Sequence, residues 1–241
     1  MPAATPDTSL PIGAALPGWQ APPAPQHTAL NGSYCRLEAL HAAQHAAALY
    51  AANAPDANGQ SWTYMPYGPF AQLADYQRWV EQWASTADPL FYAIFERGSA
   101  QAAGVASYLR ITPASASIEV GHIHYTPGLA RTRAATEAMY LMMQHAFQLG
   151  YRRYEWKCDA LNAPSRAAAL RLGFSFEGVF RQATVYKQRN RDTAWYAVID
   201  KQWPALQAAF EQWLAPENFD AAGRQRSALS ALTSAALSQR S

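Results

Sequence analysis

Residues 151–181, YRRYEWKCDALNAPSRAAALRLGFSFEGVFR, constrain this chain more than any other stretch, because they dictate a strand, a capped helix and a second strand in close succession. Tyr154, Trp156 and Cys158 alternate with Glu155, Lys157 and Asp159, the period of a strand with one buried face. Asn162 is a natural helix cap. Pro164 suits the first turn, where a missing N–H is harmless, and Gly173 suits the left-handed position that ends a helix. The next strand is expected over residues 174–180.

Around this block the pattern is that of a mixed α/β protein. Residues 1–29 hold seven of the 16 prolines, so this arm is either disordered or laid extended across the domain, an option that Trp19 makes plausible. A short strand from Tyr34 leads to an alanine-rich helix over residues 41–52, and a second helix over 71–84 carries Leu73, Tyr76, Val80 and Trp83 at helical spacing. Strands are expected over 91–96, 103–111 and 117–125, the last two as a hairpin, then a helix over 132–149. After the central block come a strand over 193–199 and an amphipathic helix over 203–214. The expected division is an arm (1–29), one domain (30–214) and a polar tail (215–241), helical or frayed.

Half of the 241 residues are apolar, enough for one good core. The formal charge of +2 provides no strong field for a polyanion, so nucleic acid is not the expected partner. Cys35 and Cys158 form neither a metal-ligand spacing nor a disulfide framework, and a reducing cytoplasm fits them best. No segment approaches the roughly 20 apolar residues needed to span a bilayer, so no membrane association is expected. His41 and His45 lie one helical turn apart but lack a third ligand; they read as helix surface, and no metal is expected. Residues 189–192, Arg-Asn-Arg-Asp, read as a hairpin turn with a local ion pair.

The central block resembles the Gcn5-related N-acetyltransferases, in particular the Rim-type branch, through its N-x-x-S helix start (Asn162, Ser165) and its L-G-F exit (Leu172, Gly173, Phe174), followed by Glu177-Gly178. The resemblance covers roughly residues 30–214. It implies a mixed, mostly antiparallel central sheet flanked by helices, with a splayed parallel strand pair that admits coenzyme A. It further implies transfer of an acetyl group from acetyl-CoA to a primary amine by direct attack in a ternary complex. The strand that splays would be the one through Ile123 and His124, and the pyrophosphate would rest on the start of the following helix, where unpaired N–H groups favour an anion.

In that loop the chain departs from the family. Aligning Thr136-Glu137-Ala138 with the family's pattern puts Arg131 and Arg133 where it has small residues, so the glycine fingerprint is absent. Arg131, Thr132, Arg133, Ala134 and Ala135 therefore read either as a phosphate site of altered geometry, with guanidinium bonds replacing backbone proximity, or as a solvated helix start. Ser165 is, by resemblance, the acid that protonates the departing thiolate, and Asn162 contacts the cofactor. Each also has a purely structural role as a cap or capped residue.

The carboxylate that Rim-type proteins place after the last motif strand is missing, since residues 182–185 are Gln-Ala-Thr-Val. Glu119 is the substitute base implied by the superfamily. His122 and His124, which would share the opposite face of its strand by alternation, are the other candidates for the base or else hydrogen-bonded fillers. Trp62, Tyr64 and His122 are the acceptor-side candidates, though aromatics there equally suit a packed lid. The acceptor is a small-molecule amine or a protein N-terminus, and a homodimer is left open. The alternative is a non-catalytic acyl-CoA-binding or regulatory module, suggested by the missing glycines and the missing carboxylate.

Overall fold

The computed structural model describes residues 10–238 and forms one eight-stranded sheet. In chain order its strands are β1 (Leu30–Asn31), β2 (Cys35–Ala39), β3 (Leu90–Glu96), β4 (Ala102–Thr112), β5 (Ser117–Tyr125), β6 (Arg153–Asp159), β7 (Ser175–Tyr186) and β8 (Arg189–Ile199). Their spatial order is β1-β2-β3-β4-β5-β6-β8-β7. All neighbours are antiparallel except β5 and β6, which run parallel. Helices α1 (Ala42–Ala52) and α2 (Leu73–Ala84) cover one face. Helices α3 (Arg133–Gln148), α4 (Ala163–Arg171), α5 (Trp203–Leu214) and α6 (Leu229–Ser238) are on the other. Burial of apolar area on both faces supplies the main favourable free energy.

The parallel pairing is short. It runs from Ser117↔Arg153 to Val120↔Trp156 and stops, so residues 121–125 leave β6 and the two strands open into a cleft. Immediately beyond, β5 bulges against β4: Val105 pairs with His124 and Ser107 with Gly121, and His122 has a left-handed φ of 50°. One residue of β4 therefore faces two of β5, and the two-residue alternation is broken there. His122 and His124 consequently do not share the face opposite Glu119, and His122 lines the same cleft as Glu119.

The central block folds as its sequence dictates. The Asn162 side chain accepts the Ser165 N–H at 3.1 Å, Pro164 lies in the first turn, and Gly173 (φ 85°) closes α4. A Cβ on Gly173 would lie 2.5 Å from Leu206 of α5, so glycine also permits this helix packing. Residues 189–192 are a correction: they are strand, not turn. The hairpin turns at Lys187 and Gln188, both with positive φ as a two-residue type I′ turn requires. Asp192 accepts the Gln182 N–H and the Asn190 side chain instead of pairing with an arginine.

His45 is a second correction. It is only 3% exposed; its Nδ1 accepts the His41 N–H and its Nε2 lies 3.2 Å from Glu38. It thus caps the start of α1 from within the helix. No group of three or more His, Cys, Asp or Glu able to hold a metal occurs among the described residues.

The arm, from Leu10 onward, is extended where it meets the domain. Pro22 and Pro25 are buried, Tyr151 Oη donates to the Pro23 carbonyl, and Tyr92 Oη to that of Gln26. Trp19 is 41% exposed and anchors nothing. Glu137, in the middle of α3, accepts the N–H groups of Ser33, Tyr34 and Cys35, which ties β2 to the central helix. After α5, residues 215–228 fold back, and α6 buries Leu229 and Thr233. No helix among the described residues is long and apolar enough to cross a membrane.

Candidate active site

Two cavities meet at the splay. The larger, about 910 Å³, is roofed by the start of α3 and by α4 and is walled by Trp213, Phe219, Gly223 and Gln225 from the C-terminal segment. The other, about 530 Å³, contains Glu119, His122, Ser165 and Tyr64. Tyr125, Trp156, Pro164 and Ala168 line both, so the two adjoin along a common wall.

The start of α3 borders the larger cavity. Thr132 caps α3 by accepting the Ala135 N–H at 3.1 Å, and Arg133, Ala135 and Thr136 of the same turn line the larger cavity. Ala134 and Ala135 are buried beneath this turn. Arg131 has a φ of 65°, so the backbone keeps a glycine-like turn although the side chain is arginine. Arg133 stacks its guanidinium 3.3 Å over the Phe219 ring and 4.6 Å from that of Tyr34. It lines the cavity from an aromatic wall. Arg171, which sequence reasoning did not single out, lines the same cavity, donates to Thr136 Oγ1 and lies 5.0 Å over Trp213. Its place on α4, six residues after Ser165, was the available signal.

At the junction, Trp156 Nε1 donates to Ser165 Oγ at 3.0 Å. An oxygen that accepts this bond keeps its own proton for another acceptor. Burial pushes the nearby Cys158 thiol above its ordinary value, with Ser165 and the charges of Arg191 and Arg166 working against the rise. Neither Trp156 nor Cys158 stood out in the sequence as more than a buried strand face.

Glu119 is 2% exposed. Its carboxylate lies 2.7 Å from Arg110 Nη1 and 2.9 Å from Lys157 Nζ, and Lys157 also reaches Glu155 at 2.7 Å. Burial raises the Glu119 carboxyl above the usual range, with Arg110 and Lys157 opposing it. Lys157 was legible in principle: Glu119 and Glu155 face each other in register across the parallel pair, and two such acids need a cation between them.

The acceptor-side expectations divide. Tyr64 lines the cleft, with its hydroxyl on the Leu161 carbonyl, and so does His122, with Nδ1 2.9 Å from Tyr67 Oη. Trp62 does not. It is buried in the α1–α2 core and stacked at 3.7 Å on His124, whose Nε2 meets Ser61 Oγ at 2.8 Å. His124 therefore lines neither cavity. Ile123 lines the smaller cavity. Burial lowers both His122 and His124 to about 4.

A splayed parallel pair beside a helix start, with a serine where the strands part, fits an acyltransferase class of site. The description "Acetyltransferase (GNAT) domain" matches residues 36–175, and the chain belongs to this family. A GCN5-related N-acetyltransferase from Brucella melitensis is 45% identical, with a TM-score of 0.88 over 91% of this chain and 100% of that one. The ribosomal-protein-serine acetyltransferase of Escherichia coli (strain K12) is 33% identical over 105 residues, 41% of this chain, and the match spans 56% of that relative's length. The structure of the ribosomal L7/L12 α-N-protein acetyltransferase RimL shares the fold at 21% identity, with a TM-score of 0.61 over 71% of this chain and 94% of that one.

Proposed function

We propose that the protein transfers an acetyl group from acetyl-CoA to a primary amine by direct attack in a ternary complex. The observation that carries this reading is the pair of adjoining cavities at the splay, with the start of α3 on one, a buried carboxylate on the other and Ser165 beside the wall they share. The residues fit such a donor: α3 presents N–H groups and Arg131 for phosphates, and beyond Val120 the β5 backbone no longer pairs with β6 and is free to bind an extended chain. When bound, the donor supplies an activated thioester carbonyl.

Glu119 takes the proton released by the amine, directly or through water, so that a neutral nitrogen lone pair forms the new C–N bond. A raised carboxyl pKa brings it nearer to working pH and makes it a better base. Ser165 gives its proton to the sulfur as the C–S bond breaks and regains one from solvent. The Trp156 hydrogen bond fixes the serine oxygen for this task. Acceptors of both sizes stay within this reading, a small-molecule amine or the first residues of a protein.

Calorimetry with acetyl-CoA tests the donor half, with micromolar affinity expected. Failure of acetyl-CoA and of longer acyl-CoA to bind at near-millimolar concentration would overturn it. Binding with no turnover over a broad amine panel would favour the acyl-CoA-binding module.

A further inference from the structure

The acceptor cleft is rich in unspent donors and poor in free acceptors. Three cations, Arg110, Lys157 and Arg191, and two carboxylates, Glu119 and Asp159, line it. Both carboxylates are committed. Asp159 takes the Leu161 N–H on one oxygen and the Tyr186 hydroxyl on the other, while Glu119 faces Arg110 and Lys157. Lys157 is 8% exposed and held between Glu119 and Glu155, with its ammonium 3.8 Å over the Trp195 ring. It has nothing left to give.

The two arginines differ from it. Arg110 spends one nitrogen on Glu119, its side chain stays 60% exposed, and its φ of 47° is held in place by the Asp88 carboxylate, which accepts the Arg110 and Ile111 N–H groups. Arg191 donates only from Nε to Thr193 Oγ1, and no ion pair involves it among the described residues. A guanidinium has five N–H donors, so most of these donors remain available. Both positive charges reach the cleft interior: each lowers His122, and Arg191 also opposes the rise of Cys158.

Resting on the acetyl-transfer reading, we propose that the acceptor is a small primary amine carrying its own oxyanion, a carboxylate or phosphate a few bonds from the nitrogen, which docks on Arg110 and Arg191. Guanidinium pairs with oxyanions are the strong, geometrically selective hydrogen bonds of such clefts. A purely cationic acceptor, such as a polyamine, has no uncommitted carboxylate to hold its second ammonium. The docked anion also competes with Glu119 for Arg110, which loosens the carboxylate that must take the proton. Substrate binding and unmasking of the base are thereby one event.

The test uses the full chain, acetyl-CoA and matched amine pairs: phosphoethanolamine with ethanolamine, and an α-amino acid with its methyl ester. Donor binding is measured separately by calorimetry. The expected result is that at least one oxyanion-bearing member exceeds its neutral partner tenfold or more in kcat/KM. The phosphate and carboxylate arms tell the two oxyanion sources apart. Arg191→Gln should shrink that ratio at least tenfold, mainly through KM, and Arg191→Lys should restore part of it. Neutral partners matching or exceeding the anionic ones, or no transfer within the panel despite tight acetyl-CoA binding, would overturn this proposal and leave the donor reading standing. Absence of acetyl-CoA binding would overturn both.

Discussion

At the scale of single residues, Ser165 combines two roles that its hydrogen bonds separate. Its N–H completes the Asn162 cap, and its Oγ is held by Trp156 with the proton free. Ser165→Ala keeps the first and removes the second, so turnover should fall by about 10²- to 10⁴-fold while acetyl-CoA affinity stays close to the parent and stability drops only by about 1–3 kcal/mol, the cost of an unpaired Trp156 N–H. Loss of melting temperature with turnover intact would reduce the hydroxyl to a structural part. Glu119→Gln should abolish the acidic limb of the pH–rate profile while donor binding persists. Arg131 allows a cleaner separation, because its left-handed backbone suits glycine. Arg131→Gly should leave stability unchanged or up to about 1 kcal/mol higher. Acetyl-CoA affinity should nevertheless drop by about 1.5–3 kcal/mol if a phosphate contact is lost. Equal affinity in calorimetry would place Arg131 outside the site. Glu119 entered only through the family resemblance, whereas the Asn162 cap on the Ser165 N–H was legible in the sequence because cap chemistry is local. Arg110, Lys157 and Arg191 were not, since their meaning comes from neighbours on other strands.

Among the elements, β5 does most to shape the site, and it does so by breaking its own period. The bulge turns His122 into the cleft and leaves His124 stacked on Trp62. Alternation alone put both histidines on one face, because a bulge without a glycine at its turned residue has no sequence signature strong enough to read. The hairpin between β7 and β8 was misplaced for a related reason: Lys187-Gln188 takes a type I′ turn without the Asn-Gly or Asp-Gly that announces one. The burial of His122 and His124 has a consequence for stability. Both are held near 4, below an ordinary value of 6.5, so folding favours their neutral forms. The unfolded chain then binds more protons between those values. Their contribution is fully present above about pH 6.5, is lost as pH falls towards 4, and amounts to roughly 3 kcal/mol for each at the limit. Urea midpoints measured across this window should decline, and His124→Gln should flatten the decline. A midpoint independent of pH in the parent protein would contradict the burial of these rings.

For the whole molecule, a mixed sheet flanked by helices follows from patterns that the sequence displays over long windows, such as the strand and helix alternation of its second half, whereas the order of its strands does not. Neither does the fate of the last stretch. Residues 215–238 are polar and alanine-rich, yet Phe219, Gly223 and Gln225 wall the larger cavity and Leu229 enters the core. Their role depends on tertiary partners, above all on Arg133, whose guanidinium lies over the Phe219 ring. Phe219→Ala should therefore lower stability by about 1–2 kcal/mol and weaken acetyl-CoA binding together. Chemical denaturation alongside calorimetry would check this, and a stability loss with full affinity would remove the C-terminal segment from the donor site.

That wall also fixes a moment in the life of the chain. Tyr34, α3 and α4 leave the ribosome well before Phe219 does, and only the closing segment completes the chamber around Arg133. A nascent chain arrested short of residue 219 has the helix start but not the enclosure. On the acetyl-transfer reading, a donor would meet its full chamber only after residue 219 has joined the fold, so enclosure of the site follows the folding of every element that precedes it.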